Sequence, residues 1–295
     1  MTILVVDIGG TSLKFGYSVD GKPLDDIRLF PSTLLCQGDC IDRLAALTRE
    51  VIKGAGLAPD VIVSTVPGFI DRDHDRVLFA ANLPALNDRR LASEWSQAVR
   101  VPVLLERDSI LMLMGERIAG AARGAGSVLG VFFGTGVGAA YLDNNRPFRG
   151  AGWALEIGQM PFGNGRQKWD TSRLDCLEAY VSGRVLEIIA STHHVATEDV
   201  FMARASNELL ARDLDTFLED QAAAVVTGVA MFSPELVLLG GGLCAMRGFP
   251  KDRLTALVEE KSRFAHDVCR PEVRWASLGW KSVLYGAHLL SSQKK

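Results

Sequence analysis

The chain has 295 residues, 48% hydrophobic, 23% charged and 7% aromatic, with a formal net charge of −3. That length can bury a sizeable core without disulfide or metal staples, and it favours two domains. With no basic excess to neutralise phosphates, a nucleic-acid partner held mainly by charge is excluded. Glycine is raised, at 29 residues in 295 against a usual ~7%.

In chain order, Ile3–Asp7 is an apolar strand, Gly9-Gly10 a turn and Leu13–Val19 a second strand. Asp20-Gly21 signals a hairpin into a strand near Leu24–Phe30. Ile41, Leu44, Ala45, Thr48, Val51 and Ile52 form a helical stripe that stops at Gly54 and Gly56. Val61–Val66 is a β-branched strand stopped by Pro67-Gly68, and Leu91–Ala98 is a helix. Pro102–Glu106 is a buried strand with Asp108 just beyond it, and residues 110–122 carry a helical pattern.

The second half repeats the opening with strand Val128–Phe133, a glycine turn over 134–138 and strand Ala139–Leu142. Residues 124–142 lack any charge and are long enough to span a bilayer. Six of them are glycine, which breaks a helix, so a buried strand–turn–strand is the better reading. A loop-rich stretch follows over 143–177. A helix is expected along Leu214–Gly228, strands at Leu236–Leu239 and Val273–Ala276, and a last helix at Lys281–Leu290. Strands alternating with helices define an α/β class.

The start, MTILVVDIGG, has no basic region and carries an acid at residue 7, unlike a secretory signal. Cysteines 36, 40, 176, 244 and 269 form an odd, scattered set, as in a reduced cytoplasmic protein.

Two glycine turns carry the chemistry. In Asp7-Ile8-Gly9-Gly10-Thr11-Ser12-Leu13-Lys14, glycines let backbone N–H groups approach an anion, Thr11 adds a hydroxyl and Lys14 a positive charge. Asp7 stands where a hydrated Mg²⁺ would be held; the alternative is a plain hairpin with an acid beside it. In Phe133-Gly134-Thr135-Gly136-Val137-Gly138 the chain leaves as a strand, so a dinucleotide fingerprint fails its context. Two such hairpins, one opening each half, match the phosphate grips of actin-like ATPase domains.

With those hairpins, the order of motifs resembles the ROK family of sugar kinases over nearly the whole chain. The matching pieces are Asp7–Thr11, Pro67-Gly68, Asn82-Leu83-Pro84, Asp108, Gly134–Gly138, Glu156-Ile157-Gly158, Leu177–Gly183 and Gly240–Gly242. Phe232–Glu235 and Leu243–Pro250 look most like D-allose kinases within it. The resemblance implies a two-lobed actin-like ATPase (ribonuclease H-like) fold, with mixed central sheets flanked by helices and a cleft between lobes. The lobes are expected at residues 1–109 plus 279–295 and at 110–278.

It implies ATP-dependent phosphorylation of a hexose at its primary hydroxyl, by a cytoplasmic homodimer that binds no nucleic acid or membrane. ATP and Mg²⁺ would lie on Asp7, Gly9, Gly10, Thr11, Lys14, Gly134, Thr135, Gly136, Gly138 and the Gly240, Gly241, Gly242 turn. The sugar would meet Pro67, Gly68, Asn82, Asp108, Glu156, Gln159 and Glu178, with Asp108 as the base. Asp108 is equally a chemically good helix N-cap, Asn82 a turn asparagine, Glu156 and Glu178 solvated acids, and Gly240–Gly242 a packing turn.

Three departures from the family pattern stand out. Gln159 replaces the histidine that contacts sugar and zinc. The stretch 163–175 lacks the zinc cysteines, and Cys176 alone cannot hold a tetrahedral zinc, so none is expected. That stretch is expected either to be ordered by other contacts, such as Trp169 and hydrogen bonds, or to be mobile. Arg107 replaces an asparagine before Asp108, where it would lower the acid's pKa or bind an acidic group. The family also contains sugar-responsive repressors, but these carry an N-terminal DNA-binding segment, for which a strand starting at Ile3 leaves no room.

Overall fold

The structure, a computed structural model, describes residues 1–163, 165–263 and 270–293. Tertiary contacts divide the chain into two units. The first is Met1–Arg123 with Pro147–Ala154 and Ser277–Lys295, and the second is Gly124–Arg146 with Leu155–Ala276.

The first unit begins with β1 (Thr2–Ile8), β2 (Ser12–Val19) and β3 (Lys22–Pro31), joined as antiparallel hairpins. Helix α1 (Cys40–Ala55) follows. Asp39 caps it by accepting the N–H groups of Ile41 and Asp42, a bond typically worth about 1 kcal/mol. Gly56 ends it in the left-handed region, at φ 64°. Then come β4 (Val61–Thr65), the small hairpin β5 (Phe69–Ile70) and β6 (Val77–Phe79), α2 (Leu91–Val99), β7 (Val103–Glu106) and α3 (Asp108–Ala119). The sheet runs β3-β2-β1-β4-β7, with β1, β4 and β7 parallel. Ile3–Val6 are buried without interruption, as expected of a strand covered on both faces.

The second unit contains β8 (Ser127–Phe133), β9 (Val137–Asp143), the short edge β10 (Arg146–Pro147), α4 (Glu178–Val181), α5 (Gly183–Thr192), α6 (Val200–Ala203), α7 (Glu208–Phe232), β11 (Leu236–Gly240), α8 (Lys251–Lys261) and β12 (Glu272–Trp275). Its sheet runs β10-β9-β8-β11-β12. As in the first unit, an antiparallel hairpin precedes two parallel strands. The uncharged stretch 124–142 is therefore β8, a turn and β9. Among the described residues no helix is long and apolar enough to cross a membrane.

Helix α9 (Lys281–Gln293) returns to the first unit and packs on α3. The helices approach closely because Gly115 faces the Ser282 backbone and Gly286 the Leu111 backbone, where a Cβ would collide with a carbonyl. Glu116, buried in α3, accepts the N–H groups of Ser277 and Leu278 at 2.8 Å each. The sequence places 110–122 at the head of the larger lobe. These contacts instead attach α3 to the first unit and start the return at Ser277. Residues 147–154 join the first unit through side chains distant in sequence, which no local pattern announces.

Candidate active site

The turn between β1 and β2 closes with the Gly9 N–H on the Ser12 carbonyl (3.0 Å). Buried Ser32 braces it, donating its N–H to the Thr11 carbonyl and its hydroxyl to the Gly9 carbonyl (2.6 Å). Asp7, next to the last residue of β1, is in parallel register with Thr65 of β4. Its Oδ1 accepts from the Thr65 hydroxyl at 2.6 Å, its Oδ2 from Trp280 Nε1 at 3.1 Å, and Lys14 Nζ lies 3.6 Å from Oδ2. The partly exposed carboxylate keeps lone pairs to spare, which fits a Mg²⁺ bound through its own waters. Among the described residues no three His, Cys, Asp or Glu side chains cluster as a metal cage.

Asp108 follows β7 and opens α3. Arg107, not Asp108, takes the N-cap position, and Asp108 Oδ1 accepts the Ser109 N–H at 2.6 Å. The Asp108 side chain is reachable by solvent although protein closely surrounds it. That surrounding protein, and next the negative Asp7, push its pKa up. The Ser109 N–H and Arg107 oppose the rise and are outweighed, so the lowering expected from Arg107 does not prevail. Arg107 is buried and directs its guanidinium to the Ala154 carbonyl and the Ser109 hydroxyl. Beside it, buried Glu106 accepts from Arg149 at 2.5 and 3.0 Å.

Gly68 sits tightly against the Phe79–Ala80 backbone, next to Pro67 at the end of β4. Asn82 is exposed and lies beside the first glycine turn, where a Cβ on Gly10 would come within 3.3 Å of its side chain. The first unit thus gathers Asp7, the turn 9–11, Lys14, Asn82 and Asp108.

The second unit gathers its own set. Its glycine turn closes with the Gly134 N–H on the Gly136 carbonyl (2.9 Å), and the Gly183 N–H donates to the Gly134 carbonyl (2.7 Å). Thr135 is exposed at the tip. Glu178 opens α4, and its Oε1 accepts the Val137 N–H at 2.9 Å. Its Oε2 accepts from Gln159 Nε2 (3.3 Å) and from Arg173 Nη1 (2.6 Å). Gly136 and Gly158 form the slot for this carboxylate, since a side chain at either would run into it. Glu156 is half-buried two residues before Gly158. Gly240 ends β11 and Gly241-Gly242 follow it, with Gly241 turned to φ 99° against the Phe133 backbone.

Residues 165–175 are ordered by side chains. Arg166 pairs with both oxygens of Asp220 (2.9 and 2.8 Å) and lies over the Phe162 and Tyr180 rings. The Tyr180 hydroxyl donates to Asp175 at 2.7 Å, and Trp169 packs on the core of the unit. Trp169 and hydrogen bonds are among the contacts expected from the sequence; the arginine pairs are additional. A thiol-rich zinc site does not fit this arginine–carboxylate setting. Cys36, Cys40, Cys176 and Cys244 are free thiols, and Cys269 lies outside the described residues.

Sequence reasoning missed Ser32, Thr65, Trp280, Arg149 and Arg173. Only Thr65 left a usable signal, because it ends a buried strand parallel to the one that carries Asp7 near its end.

Two α/β units of the same sheet order, each with a glycine turn after its first strand, constitute an actin-like ATPase fold. The ROK family model matches residues 3–294, and the chain belongs to the ROK family. Among curated relatives, the glucokinase of Thermotoga maritima is 28% identical over 265 residues, 82% of each chain. The N-acetyl-D-glucosamine kinase of Pectobacterium atrosepticum is 28% identical over 254 residues, 80% of this chain and 82% of its own. Among solved structures, a ROK glucokinase from Streptomyces griseus in complex with glucose and AMPPNP superposes with a TM-score of 0.83 at 22% identity. That match covers 99% of this chain and 100% of the other.

Proposed function

We propose that this ROK-family sugar kinase transfers the γ-phosphoryl group of ATP to the primary hydroxyl of a hexose, giving hexose 6-phosphate and ADP. The observation that carries the reading is the setting of Asp108. It is a solvent-reachable carboxylate at a strand end, with its pKa raised, in the same unit as Asp7 and a glycine turn. A raised pKa brings a carboxylate nearer the operating range of a general base.

Asp108 takes the proton of the hydroxyl as its oxygen bonds to phosphorus. The bond from phosphorus to the β,γ-bridging oxygen breaks, and ADP leaves with that electron pair. Backbone N–H groups of the turns at 9–11 and 134–138, with Thr11, Thr135 and Lys14, hold the phosphates. Gly240–Gly242 let adenosine lie against backbone. Asp7 would hold Mg²⁺ through its waters, and the ion would supply charge neutralisation on the phosphates. The sugar-binding residues are Pro67, Gly68 and Asn82 in the first unit and Glu156, Gln159 and Glu178 in the second.

Candidate sugars are glucose, mannose, fructose, D-allose and the N-acetyl hexosamines. Relatives named for glucose and for N-acetyl-D-glucosamine support the class. The segments that look like D-allose kinases cap α7 and follow the Gly240–Gly242 turn, so they bear on the nucleotide more than on the sugar. The reading places the enzyme in the cytoplasm as a homodimer.

The test is ADP release from Mg-ATP over that panel of sugars, with and without added zinc. Release with at least one sugar supports the reading. Sugar binding without release from any of them replaces it with a non-catalytic sugar sensor.

A further inference from the structure

Glu178 is held from two directions. Oε1 takes the Val137 N–H of the glycine turn, and Oε2 takes Nη1 of Arg173 at 2.6 Å. Arg173 is itself aimed by a second carboxylate, since its Nε lies 3.2 Å from Asp170 Oδ2. The Asp170 side chain is 3% exposed and also meets Arg184 Nε at 3.0 Å and the Ser172 hydroxyl and N–H. Burial alone would raise the Asp170 pKa. The Ser172 bonds and then the two arginines overcome it, holding the carboxyl ionised below its ordinary range.

A guanidinium that donates Nη1 to one carboxylate while its Nε side is ion-paired with another is held by charge from both sides. The loop that brings it there is anchored separately, through Arg166 on Asp220 and Tyr180 on Asp175. The charge matters as much as the geometry. The guanidinium offsets the Glu178 charge where it lies, 2.6 Å from Oε2.

Resting on the kinase reading, we propose that Arg173 is a positioning residue for sugar binding. It orients and neutralises Glu178, so that one carboxylate joins the Val137 N–H of the glycine turn to a hydroxyl of the bound sugar. Asp170 acts one step behind it, by holding Arg173.

The test compares Arg173→Ala, Arg173→Lys and Asp170→Asn with the wild type in two measurements. In steady-state kinetics, Arg173→Ala raises the sugar KM at least tenfold, with kcat and the ATP KM changed less than threefold. Arg173→Lys recovers most of the loss, because an ammonium still meets Glu178. Asp170→Asn, which does not touch Glu178, shifts the sugar KM the same way by a smaller factor. In amide hydrogen exchange, Val137 exchanges faster in Arg173→Ala and Asp170→Asn at an unchanged melting temperature. An unchanged sugar KM, equal losses of kcat and both affinities, or no rescue by lysine overturns the proposal, as does unchanged exchange at Val137. If the wild type releases ADP with no sugar, it is the kinase reading that fails. The Val137 exchange then still decides whether Arg173 holds Glu178 on the turn.

Discussion

Trp280 Nε1 donates to Asp7 Oδ2 across 3.1 Å, so a residue 273 positions away fixes a carboxylate near the end of β1. The indole also covers Gly16, where a Cβ would lie 2.7 Å from the ring. With Thr65 on the other oxygen at 2.6 Å, the Asp7 carboxylate is oriented before any ligand arrives.

Trp280→Phe keeps a ring over Gly16 and removes the donor to Asp7. The expected outcome is a KM for Mg-ATP raised about tenfold, equivalent to about 1.4 kcal/mol, with the sugar KM near the wild-type value. Steady-state kinetics with each substrate varied in turn checks it. A change confined to the sugar KM sinks the assignment of Asp7 to the nucleotide side.

Arg149→Ala leaves Glu106 buried without its guanidinium. Losing one partner of a buried pair costs about 3–5 kcal/mol, and partial exposure of Arg149 puts this case near the lower figure. Urea unfolding should show that loss. Glu106→Gln combined with Arg149→Ala should recover part of it, because no buried charge is then left over. A double variant no more stable than Arg149→Ala alone contradicts the argument.

Gly115→Ala places a methyl against the Ser282 carbonyl and forces α3 and α9 apart. Overpacking of this kind costs about 1–3 kcal/mol. Thermal unfolding should report it as a drop of several degrees, and a variant as stable as the wild type would mean that the helices can separate freely.

Much of the fold was legible because its signals are local. A buried strand, a glycine turn and a second strand occur within a short span, and they occur twice. Other elements gave weak signals. Helix α8 is mostly charged and buries only Leu254, Leu257 and Val258 along its length, while α5 starts on Gly183, which marks a turn in a sequence. The site was legible where its residues lie at strand ends, as Asp7 does in β1 and Asp108 does just after β7. It was illegible where the partner lies far along the chain, as Trp280 does for Asp7. The Asp108 pKa illustrates the difference. The adjacent residue is Arg107, which points downward, yet burial and Asp7, both products of the tertiary fold, decide the direction.

That direction yields a prediction of opposite sign for activity and for stability. The folded chain holds the Asp108 proton more tightly than the unfolded chain does. Its contribution to stability is therefore fully present below the ordinary aspartate pKa of about 3.9, and is lost as pH rises through the raised folded value. At neutral pH the ionised carboxylate costs stability, which Asp108→Asn removes. The variant should melt above the wild type at pH 7, and the gap should close as pH falls through the folded pKa toward about 4. Its kcat should fall by about 10²–10⁴ with the sugar KM little changed, as for loss of a general base. In the wild type, kcat/KM should decline on the acid side as the same carboxyl takes up its proton. Melting curves at a series of pH values, with kinetics on the same preparations, check both halves. A variant less stable than the wild type at pH 7 would remove the basis for the raised pKa. A variant with near-normal kcat would remove Asp108 from the chemistry.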